Sequence, residues 1–212
     1  MNADFTAQRS AMIDSQLRTV GVNEPDVLAA VAAVPRERFV PAARAALAYV
    51  DGAVALGGGR SMVEPMILGL LLTHLRIQSH EKVLIVGAAT GYSAAVVGEL
   101  TPHVTALESD AALAAQARAA GVDVVEGPLA AGWAAHAPYD VLLIDGAVPQ
   151  LPTTLAAQLR DGGRVGMVLI GEDGVGRATV GRVAAGHFGG SSIIETAATP
   201  LPGFEAPARF IF

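Results

Sequence analysis

The chain has 212 residues, of which 52% are hydrophobic and 16% are charged. These values suit a compact globular protein and exclude an intrinsically disordered one. The formal charge of −6 disfavours a nucleic-acid-binding protein. The absence of cysteine excludes a disulfide framework, a zinc–thiolate site and thiol catalysis.

Residues 1–5 lack the basic and apolar regions of a secretory signal, and the longest apolar run, residues 65–72, is too short to span a bilayer. We therefore expect a cytoplasmic protein without a membrane or nucleic-acid partner. The expected assembly state is a monomer or a weak homodimer.

The first part of the chain is predicted to be helical. Apolar residues recur at helical spacing through residues 6–48. Three glycines at 57–59 predict a flexible loop, after which Pro65 begins a helix that extends to about Leu75. We expect a helical N-terminal subdomain at residues 1–59 and a core at residues 60–212, packed together as one domain.

From residue 82 onward, strand-length apolar runs alternate with helical segments. Strands are predicted at residues 83–86, 104–107, 122–125, 140–144 and 164–169, and helices at 93–99, 111–119 and 153–159. This alternation predicts an α/β fold with a mostly parallel sheet and helices on both faces. Residues 171–176 are expected to connect the last core strand to a helix, and residues 193–194 and 210–212 are candidate edge strands.

The strand–turn–helix unit at residues 83–97 is the most informative feature of the sequence. Gly87 and Gly91 flank the turn, with Ala89 between them. Small residues let a ligand approach the backbone, and the following helix directs its N-terminus at that ligand. A pyrophosphate needs close backbone contact at the middle position, so Ala89 favours a ligand that has no phosphate.

An acidic residue ends the second predicted strand. Glu108 follows Gly87 by about 20 residues, the offset at which a carboxylate binds a ribose diol. No Arg or Lys lies near Glu108 in the sequence, which favours a free ribose over a 2′-phosphate. Gly127, Pro128 and Leu129 follow the third strand and are candidates to flank an adenine ring. An ordinary tight turn and a helix-capping carboxylate remain the alternative interpretation.

Several stretches of the sequence resemble the protein-L-isoaspartate O-methyltransferase family, in the family's order. The Val-Pro-Arg-x-x-Phe-Val-Pro stretch at residues 34–41, followed by Ala-Tyr-x-Asp at 48–51, is the most specific of them. The other matching stretches are residues 12–18, 83–95, 132–133, 137–140 and 158–164. The resemblance covers nearly the whole chain.

This resemblance implies a Rossmann-like methyltransferase fold, S-adenosylmethionine as the methyl donor, and L-isoaspartyl residues of damaged proteins as the acceptor. By position, it implies Ser61 and Val63 as residues of the catalytic loop. It implies a cofactor site formed by Gly87, Ala88, Ala89, Gly91, Tyr92, Glu108, Ser109, Gly127, Pro128 and Leu129.

The sequence also departs from the family pattern. Val63 stands where the family has a hydroxyl residue, and Ser61 substitutes for it only if the loop shifts. Glu64 would repel a substrate carboxylate, and Pro128 replaces an aspartate that contacts adenine. Two alternatives therefore stay open. One is a catalytically degenerate member that acts as a cofactor-binding or regulatory module, and the other is a methyltransferase with a different acceptor.

Other candidate residues have weaker signals. Arg36 and Arg38 are candidates to receive a substrate carboxylate, with a surface salt-bridge role equally open. Tyr92 is either a lip of the site or a helix-start residue under the N-terminal subdomain. The five histidines show no ligand spacing, so no metal site is expected.

Overall fold

The computed structural model describes residues 4–197 and 199–204. The strands in this part of the chain are β1 (Val54–Gly57), β2 (Arg60–Met62), β3 (Val83–Val86), β4 (Val104–Glu108), β5 (Val124–Glu126), β6 (Tyr139–Val148), β7 (Leu159–Ile170), β8 (Gly176–Ala184) and β9 (His187–Thr196). The α-helices are α1 (Phe5–Met12), α2 (Pro25–Ala33), α3 (Pro65–Leu75), α4 (Tyr92–Gly98), α5 (Ala111–Ala119) and α6 (Thr153–Ala156).

The main sheet has seven strands in the order β5-β4-β3-β6-β7-β8-β9. The five strands from β5 to β7 are parallel, and β8 and β9 continue the sheet in antiparallel pairs. The chain places β4 and β5 on one side of β3, and β6 and β7 on the other. The strand order therefore reverses between β3 and β6. In open α/β sheets, ligands bind beyond the carboxyl ends of the strands at such a point.

The central strand β3 explains why helices cover both faces. All of its residues are buried. Val83 and Ile85 pack into a hydrophobic cluster with α3, whereas Leu84 and Val86 pack into a second cluster on the opposite face. A strand buried on both faces is typical of a parallel sheet covered on each side. The predicted Rossmann-like α/β fold is confirmed.

The N-terminal helices pack on the same side as α3. Met12 of α1 and Val31 of α2 belong to the hydrophobic cluster that contains Val83. The predicted boundary between residues 59 and 60 lies in the turn of the β1–β2 hairpin. The division into two subdomains stays a prediction. In the described part of the chain, no helix combines the length and the apolar character that a bilayer crossing requires.

The C-terminal part of the sheet differs from the prediction. Residues 171–176 lead into strand β8 and not into a helix, so that expectation was wrong. The helix expected at 153–159 is the single turn α6, and β7 already begins at Leu159. Residues 193–194 lie in the edge strand β9, whereas residues 210–212 lie outside the described residues.

Candidate functional site

The turn after β3 has the backbone that its glycines allow. Gly87 and Gly91 have φ angles of 81° and 94°, in the left-handed region that glycine enters without strain. Ala89 also has a left-handed φ, at 50°, which costs a residue with a Cβ about 1 kcal/mol. A hydrogen bond from Gly91 N to Ala88 O closes the turn. Tyr92 then begins α4.

Glu108, at the end of β4, is joined directly to this turn. Its side chain is fully buried. Its Oε2 accepts a hydrogen bond from Ala89 N at 2.7 Å, and its Oε1 accepts from Ser109 N at 2.8 Å and from Asp110 N at 2.9 Å. Two parts of the site predicted separately from the sequence are therefore in contact.

An arginine that the sequence did not indicate completes this cluster. Arg60 Nη1 lies 2.8 Å from Glu108 Oε1, and its Nη2 donates to Gly87 O at 3.0 Å. The Arg60 side chain is 5% exposed, so this is a buried ion pair. The expectation that no Arg or Lys lies near Glu108 was wrong. Arg60 is distant in the sequence, but the β1–β2 hairpin places it at the end of β4.

The pKa of Glu108 reflects these donors. Burial alone raises the pKa of a carboxyl group, because it penalises the charged form. The hydrogen bond and charge of Arg60, together with the N–H groups of Asp110 and Ala89, outweigh burial and hold the pKa of Glu108 below its ordinary value. Glu108 is therefore an anion at neutral pH.

The residues after β5 lie beside Glu108. In the register of the parallel pair, Glu126 lies opposite Glu108, and Gly127 N donates to Glu108 O at 3.1 Å. A Cβ at Gly127 would lie 3.6 Å from the Trp133 ring. Leu129 is buried, and Pro128 offers no backbone donor. The turn after β3 and the residues after β5 therefore both contact Glu108 at the end of β4.

A second carboxylate lies in β6, the strand on the other side of β3 from β4. Asp145 accepts a hydrogen bond from Ser93 Oγ at 2.5 Å. Burial raises the pKa of Asp145, and the Ser93 hydrogen bond and the charges of Arg60 and Arg36 offset that rise only in part. β6 extends beyond the predicted end at residue 144. Its pairing with β7 shifts register after Leu143 and resumes at Ala147 and Val148.

The predicted catalytic loop lies next to Asp145. Ser61 pairs with Ala55 in the β1–β2 hairpin, and the Val63 side chain is buried. Val63 offers no hydrogen-bond donor in its side chain. Glu64 Oε2 is buried without a hydrogen-bond partner.

Arg36 holds this loop in place. Its Nε donates to Ala48 O at 2.7 Å and its Nη2 donates to Val63 O at 2.6 Å. The guanidinium also lies 4.7 Å from the centroid of the Tyr92 ring. Arg36 is fully buried, so the hypothesis that it receives a substrate carboxylate is replaced by a structural role. Tyr92, in contact with both Arg36 and Phe39, is the buried helix-start residue of the two alternatives.

The segment after β9 crosses the same strand ends. Ala147 N donates to Thr199 O, and Leu201 N donates to Ala147 O, which fixes residues 199–201 beside β6. Leu201 packs on the glycines of the site, since a Cβ at Gly87 would lie 2.9 Å from Leu201 Cδ1 and one at Gly146 2.6 Å from Leu201 Cδ2. No sequence pattern indicated this contact.

Two spaces flank Leu201. A cavity of about 450 Å³ opens beside Arg60 and Asp110, and Pro200 and Phe204 form part of its wall. On the other side, a crevice of about 10 Å³ lies between the catalytic loop, Asp145 and Leu201. The crevice is large enough for about one water molecule.

The chemical groups at the site fit S-adenosylmethionine. Glu108 provides the carboxylate that a ribose diol requires, and Gly87 adds no side chain of its own at the turn. Arg60 is bound to Glu108, and Leu201 lies over Gly87 and Gly146. Cofactor binding therefore requires these two side chains to move. No cluster of three or more metal-ligating side chains is found in residues 4–197 and 199–204.

Comparison with known proteins supports this interpretation. The family model "Protein-L-isoaspartate(D-aspartate) O-methyltransferase (PCMT)" matches residues 7–184. A protein-L-isoaspartate O-methyltransferase of Rhodopseudomonas palustris is 41% identical over 163 residues, which cover 74% of this chain and 75% of that protein. One of Koribacter versatilis is 36% identical over 97% of this chain and 96% of its own length.

Solved structures agree with the fold. A protein-L-isoaspartate O-methyltransferase structure superposes with a TM-score of 0.78 at 22% identity, over 92% of this chain and 66% of that one. A putative protein-L-isoaspartate O-methyltransferase from Plasmodium falciparum, in complex with S-adenosyl-L-homocysteine, superposes with a TM-score of 0.77 at 15% identity. That match covers 92% of this chain and 97% of the other.

Proposed function

The chain belongs to the protein-L-isoaspartate(D-aspartate) O-methyltransferase family, and from that premise we propose that it methylates the α-carboxylate of L-isoaspartyl residues in damaged proteins. It is an S-adenosylmethionine-dependent enzyme. The observation that supports the proposal is the contact between Glu108 Oε2 and Ala89 N, which joins the carboxylate proposed to bind ribose to a glycine turn at the sheet's switch point.

The proposed cofactor site consists of the residues at three strand ends. Glu108 would hold the ribose, and Gly87, Ala88, Ala89 and Gly91 would flank the methionine end. Gly127, Pro128 and Leu129 would flank the adenine, beside Ser109. Tyr92 would support the turn from below through its packing on Arg36. Backbone hydrogen bonds already hold the Glu108 side chain in position, so binding a diol would require the release of Arg60 and not a movement of the carboxylate itself.

Methyl transfer mainly requires the enzyme to align the acceptor carboxylate with the methyl group of the cofactor. When bound, the cofactor supplies an electrophilic methyl group on a positively charged sulfur, so the methyl–sulfur bond breaks as a carboxylate oxygen forms the new bond. The acceptor carboxylate is already ionised at neutral pH, so the protein needs no general base. The catalytic loop containing Ser61 and Val63 therefore has to position the acceptor and exclude water.

The partners proposed for this enzyme are proteins and peptides that contain isoaspartyl residues. A monomeric or weakly dimeric state, the absence of nucleic-acid and membrane partners, and a cytoplasmic location stay predictions. The net charge of −6 supports the lack of a nucleic-acid partner.

A methyl-transfer assay tests the proposed function. Radiolabelled S-adenosylmethionine is incubated with the protein and with two peptides that differ only in carrying isoaspartate or normal aspartate at one position. We expect label only in the isoaspartyl peptide. Label in neither peptide, with S-adenosylhomocysteine still bound in calorimetry, would contradict the proposal and favour a cofactor-binding module. Label in both peptides would indicate another acceptor.

A further inference from the structure

The ion pair between Arg60 and Glu108 competes with the cofactor. Glu108 already accepts hydrogen bonds from Arg60 Nη1, Ser109 N and Asp110 N at Oε1 and from Ala89 N at Oε2, about as many as a carboxylate can accept. Arg60 Nη2 also lies over the turn, on Gly87 O. The other three donors are backbone N–H groups, so a ribose diol that binds both carboxylate oxygens displaces the Arg60 guanidinium.

The released guanidinium lies beside the crevice in which the acceptor is expected. That crevice is lined by Arg60 together with Ser61, Val63, Glu64 and Asp145. Val63 offers no donor, and Glu64 Oε2 is buried without a partner. An acceptor carboxylate there would meet two acidic side chains, and Arg60 is the cation among the described residues of the lining.

We propose that Arg60 is a substrate-binding residue that receives the α-carboxylate of the acceptor, and that its ion pair with Glu108 delays this role until the cofactor is bound. The inference rests on the proposed function. The planar guanidinium presents two parallel N–H donors that match a carboxylate, and it replaces the single hydroxyl that Val63 lacks.

Coupled binding follows from this exchange of partners. Cofactor binding frees Arg60 for the acceptor, so each ligand tightens the binding of the other, by the same factor in both directions. Without the cofactor, Arg60 stays on Glu108 and the crevice stays at about 10 Å³. The cofactor-bound protein is therefore the form that binds the acceptor more tightly.

Binding measurements test the proposal without methyl transfer. A fluorescent isoaspartyl peptide is titrated by anisotropy with and without S-adenosylhomocysteine, and S-adenosylhomocysteine alone is titrated by calorimetry. In the unmodified protein, we expect S-adenosylhomocysteine to tighten peptide binding by roughly 10-fold or more, within the range of known couplings.

The decisive variant is Arg60→Gln. It should bind S-adenosylhomocysteine several-fold more tightly, because the internal competitor is gone. It should bind the peptide roughly 30-fold or more weakly with S-adenosylhomocysteine present, because a charged hydrogen-bond partner is lost. Arg60→Lys keeps the charge and should recover part of the peptide affinity. Arg182→Gln, at an exposed arginine of β8, is the matched control and should change neither value.

Opposite changes in the two affinities distinguish this role from a structural one. If Arg60→Gln weakens both ligands, Arg60 only supports the hairpin and the proposal is wrong. If it tightens cofactor binding and leaves the affinity for the peptide unchanged, Arg60 only competes with the cofactor for Glu108, and the proposal is also wrong. Leu201→Ala removes the side chain that lies over Gly87 and does not change the charge. It should likewise tighten S-adenosylhomocysteine binding, so it tests whether the site is closed to the cofactor if Arg60→Gln does not fold.

The same data separate the two proposals. If the unmodified protein shows coupled binding of both ligands but transfers no methyl group, the proposed function fails and the role of Arg60 stands. If it methylates the isoaspartyl peptide and S-adenosylhomocysteine does not tighten peptide binding, the proposed function stands and the role of Arg60 fails.

Discussion

Two carboxylates, Glu108 at the end of β4 and Asp145 within β6, have pKa values that are shifted in opposite directions. Glu108 receives a guanidinium and three backbone N–H groups, and its pKa lies below the ordinary value. Asp145 receives the neutral hydroxyl of Ser93, and its pKa lies above the ordinary value. The donors that the fold directs at each carboxylate, more than burial itself, decide the sign of the shift.

The largest expected effect is on Glu108. Glu108→Gln should lower the free energy of unfolding by about 3 kcal/mol, because it leaves Arg60 buried without its counter-charge. For a chain of this size the melting temperature should fall by on the order of 10 °C. Urea and thermal unfolding measure both quantities.

The matched control is Glu126→Gln, one strand away. Glu126 forms an exposed ion pair with Arg118, so its loss should cost less than about 1 kcal/mol. Equal effects of the two substitutions would contradict the strong pairing of Glu108.

The stability difference between the unmodified protein and Glu108→Gln should depend on pH. A lowered native pKa means that the unfolded chain binds more protons in acid, so the stabilisation is fully present above the ordinary pKa of 4.5. It is lost as the pH falls through the lower native pKa. Urea unfolding from pH 7 down to the acid limit of folding should show the two curves converging. A constant difference would rule out ionised Glu108 as its source.

Asp145 should show the opposite sign. Its raised pKa means that folding disfavours the ionised form, so stability falls as the pH rises above the ordinary value of 3.8. Asp145→Asn removes this penalty, and its amide oxygen can still accept from Ser93 Oγ. We expect the variant to be more stable than the unmodified protein at pH 7 and equal to it below pH ~3.8. A loss of stability at pH 7 would show that the charge of Asp145 is needed by the fold.

The smallest expected effect is at Ala89, which connects the turn to Glu108. Ala89→Gly relieves a left-handed backbone and should raise the free energy of unfolding by about 0.5–1 kcal/mol. Ala88→Gly is the control, because the φ of Ala88 is not in that region. It should destabilise by a similar amount through the greater flexibility of the unfolded chain. Thermal unfolding of the pair checks the opposite signs.

The parallel half of the sheet was predictable because its signals are local. The strand β3 is a continuous apolar run, and Glu108 follows it at the spacing of a ribose-binding carboxylate. The strands β8 and β9 were not predicted as a hairpin. They contain several glycines, including Gly181 and Gly190, which lie opposite one another in the register, and glycine weakens a strand pattern.

The sequence by itself determined the fold class, the glycine turn, Glu108 and the family, because periodicity and motif spacing are properties of neighbouring residues. Only the tertiary structure decided what surrounds Glu108. Arg60 lies 48 residues before Glu108 in the chain. Leu201 reaches Gly87 through the pairing of residues 199–201 with Ala147. Such contacts depend on how the hairpin and the last segment pack across the strand ends, and a one-dimensional pattern does not record the direction of a side chain in space.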